Sequence, residues 1–165
     1  MAMPPPQYYA QQPAGPAPGV RYAAWFGRLI AYLIDGFILS FIVSLFYVLG
    51  FVVLAGTSTA DAAGNVTAGP GAGIGLIIFL VGVVVGILWK PFWWSRGGQT
   101  PGYKLLGMRV VRASDGGKIG FGTGLLREIG YIFSSIFYLG FIWAAFDARK
   151  QGWHDKIAGT VVIQA

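Results

Sequence analysis

One apolar stretch limits what this chain can fold into more than any other feature. Residues Leu29 to Ala55 carry a single charge, Asp35. As a helix, a stretch of this length would be ~40 Å long, against a bilayer hydrocarbon core of ~30 Å. Tilt, or a first turn lying in the interface, takes up the surplus. A second run, Ile74 to Leu88, leads into Trp89, Lys90, Phe92, Trp93 and Trp94, an aromatic and basic belt of the kind that sits at headgroup level. Composition agrees: 55% of the residues are apolar and 11% charged, whereas a soluble domain carries about 25% charged residues. A chain of 165 residues cannot enclose that much apolar surface in a core of its own, so the excess must face lipid. The expected class is an all-α membrane protein.

The rest of the chain divides by composition. Residues 1–20 hold six of the nine prolines, with Gln, Ala and Gly. They show no apolar period and are expected to form a disordered tail, with 21–165 as the transmembrane domain. The tail lacks the basic start and apolar centre of a signal peptide. The segment 56–73 has no Lys or Arg, while 90–127 has Lys90, Arg96, Lys104, Arg109, Arg112, Lys118 and Arg127. The positive-inside rule then puts the N-terminus and 90–127 in the cytoplasm of a multi-pass cell-membrane protein, with 56–73 outside. Anionic lipid headgroups are the expected contact of that basic segment, rather than nucleic acid.

Two features concern the end of the chain. Residues 107–112, followed by Asp115 and Gly116, read as a strand and turn. The β-branched run Thr160 to Ile163 is its expected partner in a small cytoplasmic β element. Between them lies a third apolar segment, about 125–146, after spans at about 29–55 and 74–94. Crossing once would put the C-terminus outside, which suits neither the strand pairing nor the basic Arg149, Lys150 and Lys156. Ser134, Ser135 and Gly140 could instead mark a re-entrant hairpin shielded by protein. Both readings stand at this level.

Asp35 is the residue with most to say about function. A carboxylate at this depth costs ~2.5–3.5 kcal/mol on insertion scales and must face water or a partner. Arg28 lies two turns earlier on the same face, ~10.5 Å away along the axis. Asp35 is therefore expected either to handle an ion or to staple a neighbouring helix, with Arg127 or Trp153 as its partner. Small residues at four-residue spacing, Gly36, Ser40 and Ser44 in the first span and Gly82 and Gly86 in the second, are expected to line helix contacts.

Enzyme signatures are missing from the sequence. Cysteine is absent, and His154 is the one histidine, so thiolate and polyhistidine metal sites are excluded and no cofactor is expected. Gly120, Gly122 and Gly124 lack dinucleotide-binding spacing. A His154–Asp155 dyad lacks an evident nucleophile. No enzymatic activity is expected.

The segment Gly27-Arg28-Leu29 leading to Asp35, the run Gly98-Gln99-Thr100-Pro101-Gly102-Tyr103-Lys104 with Gly107-Met108-Arg109, then Arg127, and Gln151-Gly152-Trp153-His154-Asp155-Lys156 leading to Thr160 closely resemble the RDD family of small bacterial membrane proteins. The similarity covers about 21–165, and the proline- and glutamine-rich tail looks like those of actinobacterial members. The family is named for one arginine and two aspartates. By resemblance Arg28 is the arginine and Asp35 the first aspartate. Asp155 is taken as the second, with Asp147 the competitor. The resemblance implies an unassigned role, with transport proposed for the family and sodium–proton antiport described for some members. The expectation carried forward is ion or small-solute transport centred on Asp35. The rival is a scaffold or accessory subunit in which Arg28, Asp35 and Asp155 are structural staples, with Arg127, Asp147 and His154 as secondary candidates. With so few spans, a carrier would need a homo-oligomer or a protein partner.

Overall fold

The structure, a computed structural model, describes residues 19–165. All but the last two residues of the expected disordered tail lie outside that range. Helix α1 runs Trp25–Thr57 and helix α2 Ala72–Gly97. They are antiparallel neighbours, joined by a loop whose two-residue strands β1 (Thr59–Ala60) and β2 (Val66–Thr67) pair with each other. Both helices are long and apolar enough to cross a membrane. Each overruns its expected apolar segment at both ends, because the flanking Trp25, Arg28, Arg96 and Gly97 continue the helical ladder beyond the lipid-soluble stretch. The outward flanks stay exposed, with Phe37 and Phe51 among them, as lipid-facing surfaces should.

The helices meet through glycines. A Cβ added at Gly75 would lie 2.7 Å from the Gly50 carbonyl oxygen, and one at Gly82 would lie 2.8 Å from Phe46 Cβ. Gly86 makes only an ordinary contact with Val43. The expected ridge Gly36, Ser40, Ser44 does not join this contact: all three residues are exposed, and nothing lies within 4 Å of a Cβ built on Gly36. The serine hydroxyls bond back to Phe37 and Phe41 of their own helix. The inward face of α1 holds Arg28, Ala31, Asp35 and Gly50. A helix turns about 100° per residue, so a ridge beginning one position after Asp35 swings away from it.

After α2 the chain stops at Gly98, whose φ of +72° favours glycine. A Cβ there would also fall 2.4 Å from the Val110 carbonyl oxygen. Helix α3 (Pro101–Leu105) follows, with Thr100 as N-cap and Pro101 at its first turn. Strand β3 (Met108–Arg112) pairs antiparallel with β4 (Thr160–Gln164), Val110 opposite Val162. The expected pairing of 107–112 with 160–163 is therefore present to within a residue. Tyr22 bridges to Ile163, and Ala23 N–H donates to the Val162 carbonyl at 2.9 Å, so the approach to α1 lies on the free edge of β4.

The third apolar segment is bent. Helix α4 (Phe121–Ser134) gives way to a 3-10 turn at Ile136–Tyr138 and then to α5 (Leu139–Phe146), with a 93° change of direction. It counts as a third span only if both halves are taken as one broken span. Phe137 and Tyr138 have φ of +49° and +57°, left-handed values that cost a non-glycine residue ~1–2 kcal/mol each. Gly140 closes the bend: a Cβ there would meet Ser134 Cα at 2.5 Å. Helix α6 (Trp153–Ile157) then leads into β4.

The core lies at one end of the helical pair. Ala23, Ala31, Trp94, Tyr103, Met108, Val110, Ile119, Tyr131 and Val162 pack together there. Strands β3 and β4, the short helices and α4 thus form a cap on the start of α1 and the end of α2.

The glycine contact gives a direct test. Gly75→Ala should lower the thermal midpoint in detergent micelles, because backbone must move to admit the methyl; overpacking of this kind costs ~1–3 kcal/mol. Gly36→Ala, with open space and better helix propensity, should leave it unchanged or raise it.

Candidate functional site

Most of the polar residues buried in the cap converge on Asp155. It sits in the first turn of α6, fully buried, and its Oδ2 accepts the Gly152 N–H at 3.0 Å. Arg28 reaches it from α1, Nη1 to Oδ2 at 3.0 Å, and its Nη2 donates to the Val162 carbonyl at 3.3 Å. Arg127 reaches it from α4, Nη1 to Oδ1 at 2.6 Å. Thr160 completes the ring: its hydroxyl accepts from Arg127 Nη1 at 2.7 Å and donates to Asp155 Oδ1 at 3.2 Å. One carboxylate thereby joins α1, α4, α6 and β4. The Arg127 guanidinium lies 4.8 Å over the Trp94 ring. Burial by itself would raise the Asp155 pKa, but the adjoining Arg127, then His154 and Arg28, together outweigh burial and hold it down at about 2.

His154 adds a second network. It stacks on Tyr131 with ring centroids 4.1 Å apart. The Ser134 hydroxyl lies 3.0 Å from Nδ1 and accepts the His154 backbone N–H at 3.1 Å, while Nε2 is 3.4 Å from Asp155 Oδ2. An acceptor Nδ1 and a protonated Nε2 satisfy all three contacts. Ser134, His154 and Asp155 thus follow one another as a Ser–His–Asp relay would, and the neighbouring His154 and Asp155 do face each other. The setting is unlike that of a nucleophile: Ser134 is fully buried beneath Gly140, and burial drops the His154 pKa to about 3, although Asp155 pulls the other way. Such an imidazole is a weak base near neutrality.

Asp35 stands apart from this cluster. It is 3% exposed, and both oxygens are occupied. Oδ2 accepts from the Thr100 hydroxyl at 2.5 Å and Oδ1 from the Gly102 N–H at 2.7 Å. Its partner is therefore the start of α3, in place of the expected Arg127 or Trp153. Arg28 is already engaged with Asp155 and β4 and does not reach down to it. Gly102 is needed for the approach, since a Cβ there would fall 2.4 Å from the Ala31 carbonyl oxygen. Asp147 also lies outside the cluster and pairs with Lys156 at 2.8 Å. Lys90 and Glu128 form a further pair at 3.3 Å, with the ammonium 4.4 Å over Tyr131. Among the described residues there is no group of three or more His, Cys, Asp or Glu placed to hold a metal ion.

Sequence reasoning did not foresee the hydrogen bonds that Thr100, Gly102, Ser134 and Thr160 make to Asp35, His154 and Asp155. Thr100-Pro101-Gly102 did carry a signal, a capping residue followed by proline at the first helical position. The role of Thr160 had no local signal, because its partners are distant in the chain.

Both titrating groups favour neutral over acid pH. His154, with its pKa lowered from 6.5 to about 3, contributes stability that is complete above pH 6.5 and is lost as pH falls below it. Asp155, lowered from 3.8 to about 2, adds a loss that begins below 3.8. The thermal midpoint of the detergent-solubilised protein should therefore decline steadily below about pH 6.5. In His154→Asn, which keeps an acceptor for Ser134, the curve should stay flat until carboxylates protonate near pH 4. Parallel curves for both proteins would remove His154 from the account.

Comparison with known proteins agrees with the spread of these residues along the chain. The RDD family model matches residues 22–159, which contain Arg28, Asp35, Arg127 and Asp155. An uncharacterized protein of Bacillus subtilis, YxaI, is 32% identical over 154 residues, spanning 86% of this chain and 96% of its own length. A proline-rich antigen homolog of Mycobacterium tuberculosis is 27% identical over 160 residues, 88% of this chain and 65% of that protein. YteJ, an uncharacterized membrane protein of Bacillus subtilis, is 34% identical over 65 residues, 39% of this chain and 40% of its own. No solved structure matches. With its apolar helices, its buried arginine–aspartate cluster and a family match over most of its length, this chain is a membrane protein that belongs to the RDD family.

Proposed function

We propose that this protein is a non-transporting, multi-pass membrane scaffold, in which Arg28, Asp35 and Asp155 fasten a cytoplasmic cap to a pair of membrane helices. The observation that carries this reading is the state of the two carboxylates. Asp35 has both oxygens satisfied by Thr100 and Gly102, and Asp155 is shared by two arginines. A cation carrier needs a carboxylate that solvent and ligand can reach, and Asp35 lines neither the cavity beside Trp25 and Tyr32 nor the one beside Arg112 and Arg149. In this reading the partners are anionic headgroups and a second copy or another membrane protein. The exposed Arg109, Arg112 and Lys104 of the cap supply the basic face for the headgroups.

Charge and strand pairing both support one orientation. Segment 58–71 has no basic residue, while the cap carries several. Strands β3 and β4 lie side by side, so the bent α4–α5 pair leaves and returns on the same side of the membrane. The N-terminus, the cap and the C-terminal strand are then all cytoplasmic. A cysteine placed at Ala165 in this cysteine-free chain should react with an impermeant thiol reagent only in inverted vesicles. Reaction in right-side-out vesicles would put the C-terminus outside, as a single crossing by the third apolar segment requires.

The carrier reading makes a different forecast about flux. In proteoliposomes the wild type should give no sodium- or potassium-driven proton movement above that of empty vesicles. Asp35→Asn should lose stability in detergent by ~1–3 kcal/mol, because the amide has one acceptor oxygen and sets an NH2 donor against the Thr100 hydroxyl or the Gly102 N–H. Proton flux in the wild type that vanishes in a folded Asp35→Asn variant would restore the ion-carrier role.

A further inference from the structure

A cavity of about 430 Å³ lies between α1, the α4–α5 bend and α6. That volume falls in the range of small-molecule sites. Its walls are largely apolar, and one of them is made by Tyr32 and Phe141 in tilted ring contact, centroids 5.8 Å apart. Leu33 and Ile142, at its outer side, are 60% and 46% exposed and continue the apolar outer surfaces of α1 and α5. A molecule entering there comes from the hydrocarbon rather than from water. The other end is polar and is formed by Arg28 and His154.

Arg28 is more than nine-tenths buried, yet only two of its N–H donors are matched, to Asp155 and to the Val162 carbonyl; Nε has no partner among the described residues. A guanidinium carries five N–H donors in a planar fork that suits a carboxylate. The charge of the cluster points the same way. Arg28 and Arg127 share the one carboxylate of Asp155, which leaves an excess of one positive charge in a desolvated setting. Lys90 is paired with Glu128 and also acts on Asp35, so the positive excess is local to the Arg28–Arg127–Asp155 group.

We infer that this cavity binds a long-chain fatty acid, with the alkyl chain among Tyr32, Phe141, Leu33 and Ile142 and the carboxylate on Arg28. A diacyl phospholipid is too bulky to be enclosed, and an uncharged alkyl molecule would leave the surplus donors unmatched. Occupancy would connect the cap to the state of the surrounding bilayer and is independent of whether the protein carries ions.

The test is equilibrium binding of radiolabelled oleate to the intact purified protein in detergent. Saturable binding of about one oleate per chain is expected, displaced by unlabelled oleate and at least tenfold more weakly by oleyl alcohol or phosphatidylglycerol. Leu33→Trp and Ile142→Trp should each weaken binding at least tenfold with the thermal midpoint unchanged, since both sites tolerate bulk outside the packed core. Absence of saturable binding would overturn the assignment, as would equal displacement by the alcohol, stronger displacement by phosphatidylglycerol, or full affinity in both folded tryptophan variants.

Discussion

Asp155 is the constraint on which the rest depends. Two buried guanidinium groups cannot remain charged in a dry setting without a counter-ion, and one carboxylate serves both. Deleting one member of such a buried set leaves an uncompensated charge, at a cost of ~3–5 kcal/mol. The same rule says that a buried ion group adds little stability over a well-packed apolar replacement. Its value lies in being satisfied by one arrangement only. Arg28 fixes α1, Arg127 fixes α4, and Thr160 brings β4 to both, so any slip of these elements unpairs a charge.

The molecule divides its labour between two kinds of packing. Between α1 and α2, contact depends on glycines that let backbones approach, because hydrocarbon on both sides gives apolar residues no reason to associate. In the cap, burial from water operates as in a soluble domain, and a core of Trp94, Met108, Val110 and Val162 can form. Asp35 belongs at the boundary. It is too deep to be left unpaired, and the capping geometry of Thr100 with the Gly102 N–H binds the start of the cap to the wall of the helix.

What could be read from the sequence was whatever local period or charge imposes. The two long helices and the pairing of 107–112 with 160–163 were within reach, and Arg28, Asp35 and Asp155 could be singled out as the polar residues to explain. The cluster itself was not. Helical spacing directs attention from Arg28 to Asp35, seven residues away, whereas the true partner is 127 residues on. The packing ridge failed for a related reason: small residues at four-residue spacing identify a face, but only the Asp35–Thr100 contact reveals which face turns inward. The bend was foreshadowed by Ser134, Ser135 and Gly140, and left undecided because one apolar segment of that length can cross or return. His154 and Asp155 are adjacent in sequence, and their joint use with Ser134 depends on a tertiary approach.

The long separation between Arg28 and Asp155 has a consequence for synthesis. At ~5–20 residues per second, roughly 6–25 s pass between translation of the arginine and of the aspartate that neutralises it. During that interval α1 and α2 can already have entered the bilayer, while Arg28 and later Arg127 still lack their counter-charge. The nascent chain must keep the unfinished cap wet, with its cations hydrated at the membrane surface, and dewet it in one late step when β4 arrives. Insertion of the long helices and completion of the charge cluster are thus separated in time by the chain's own order.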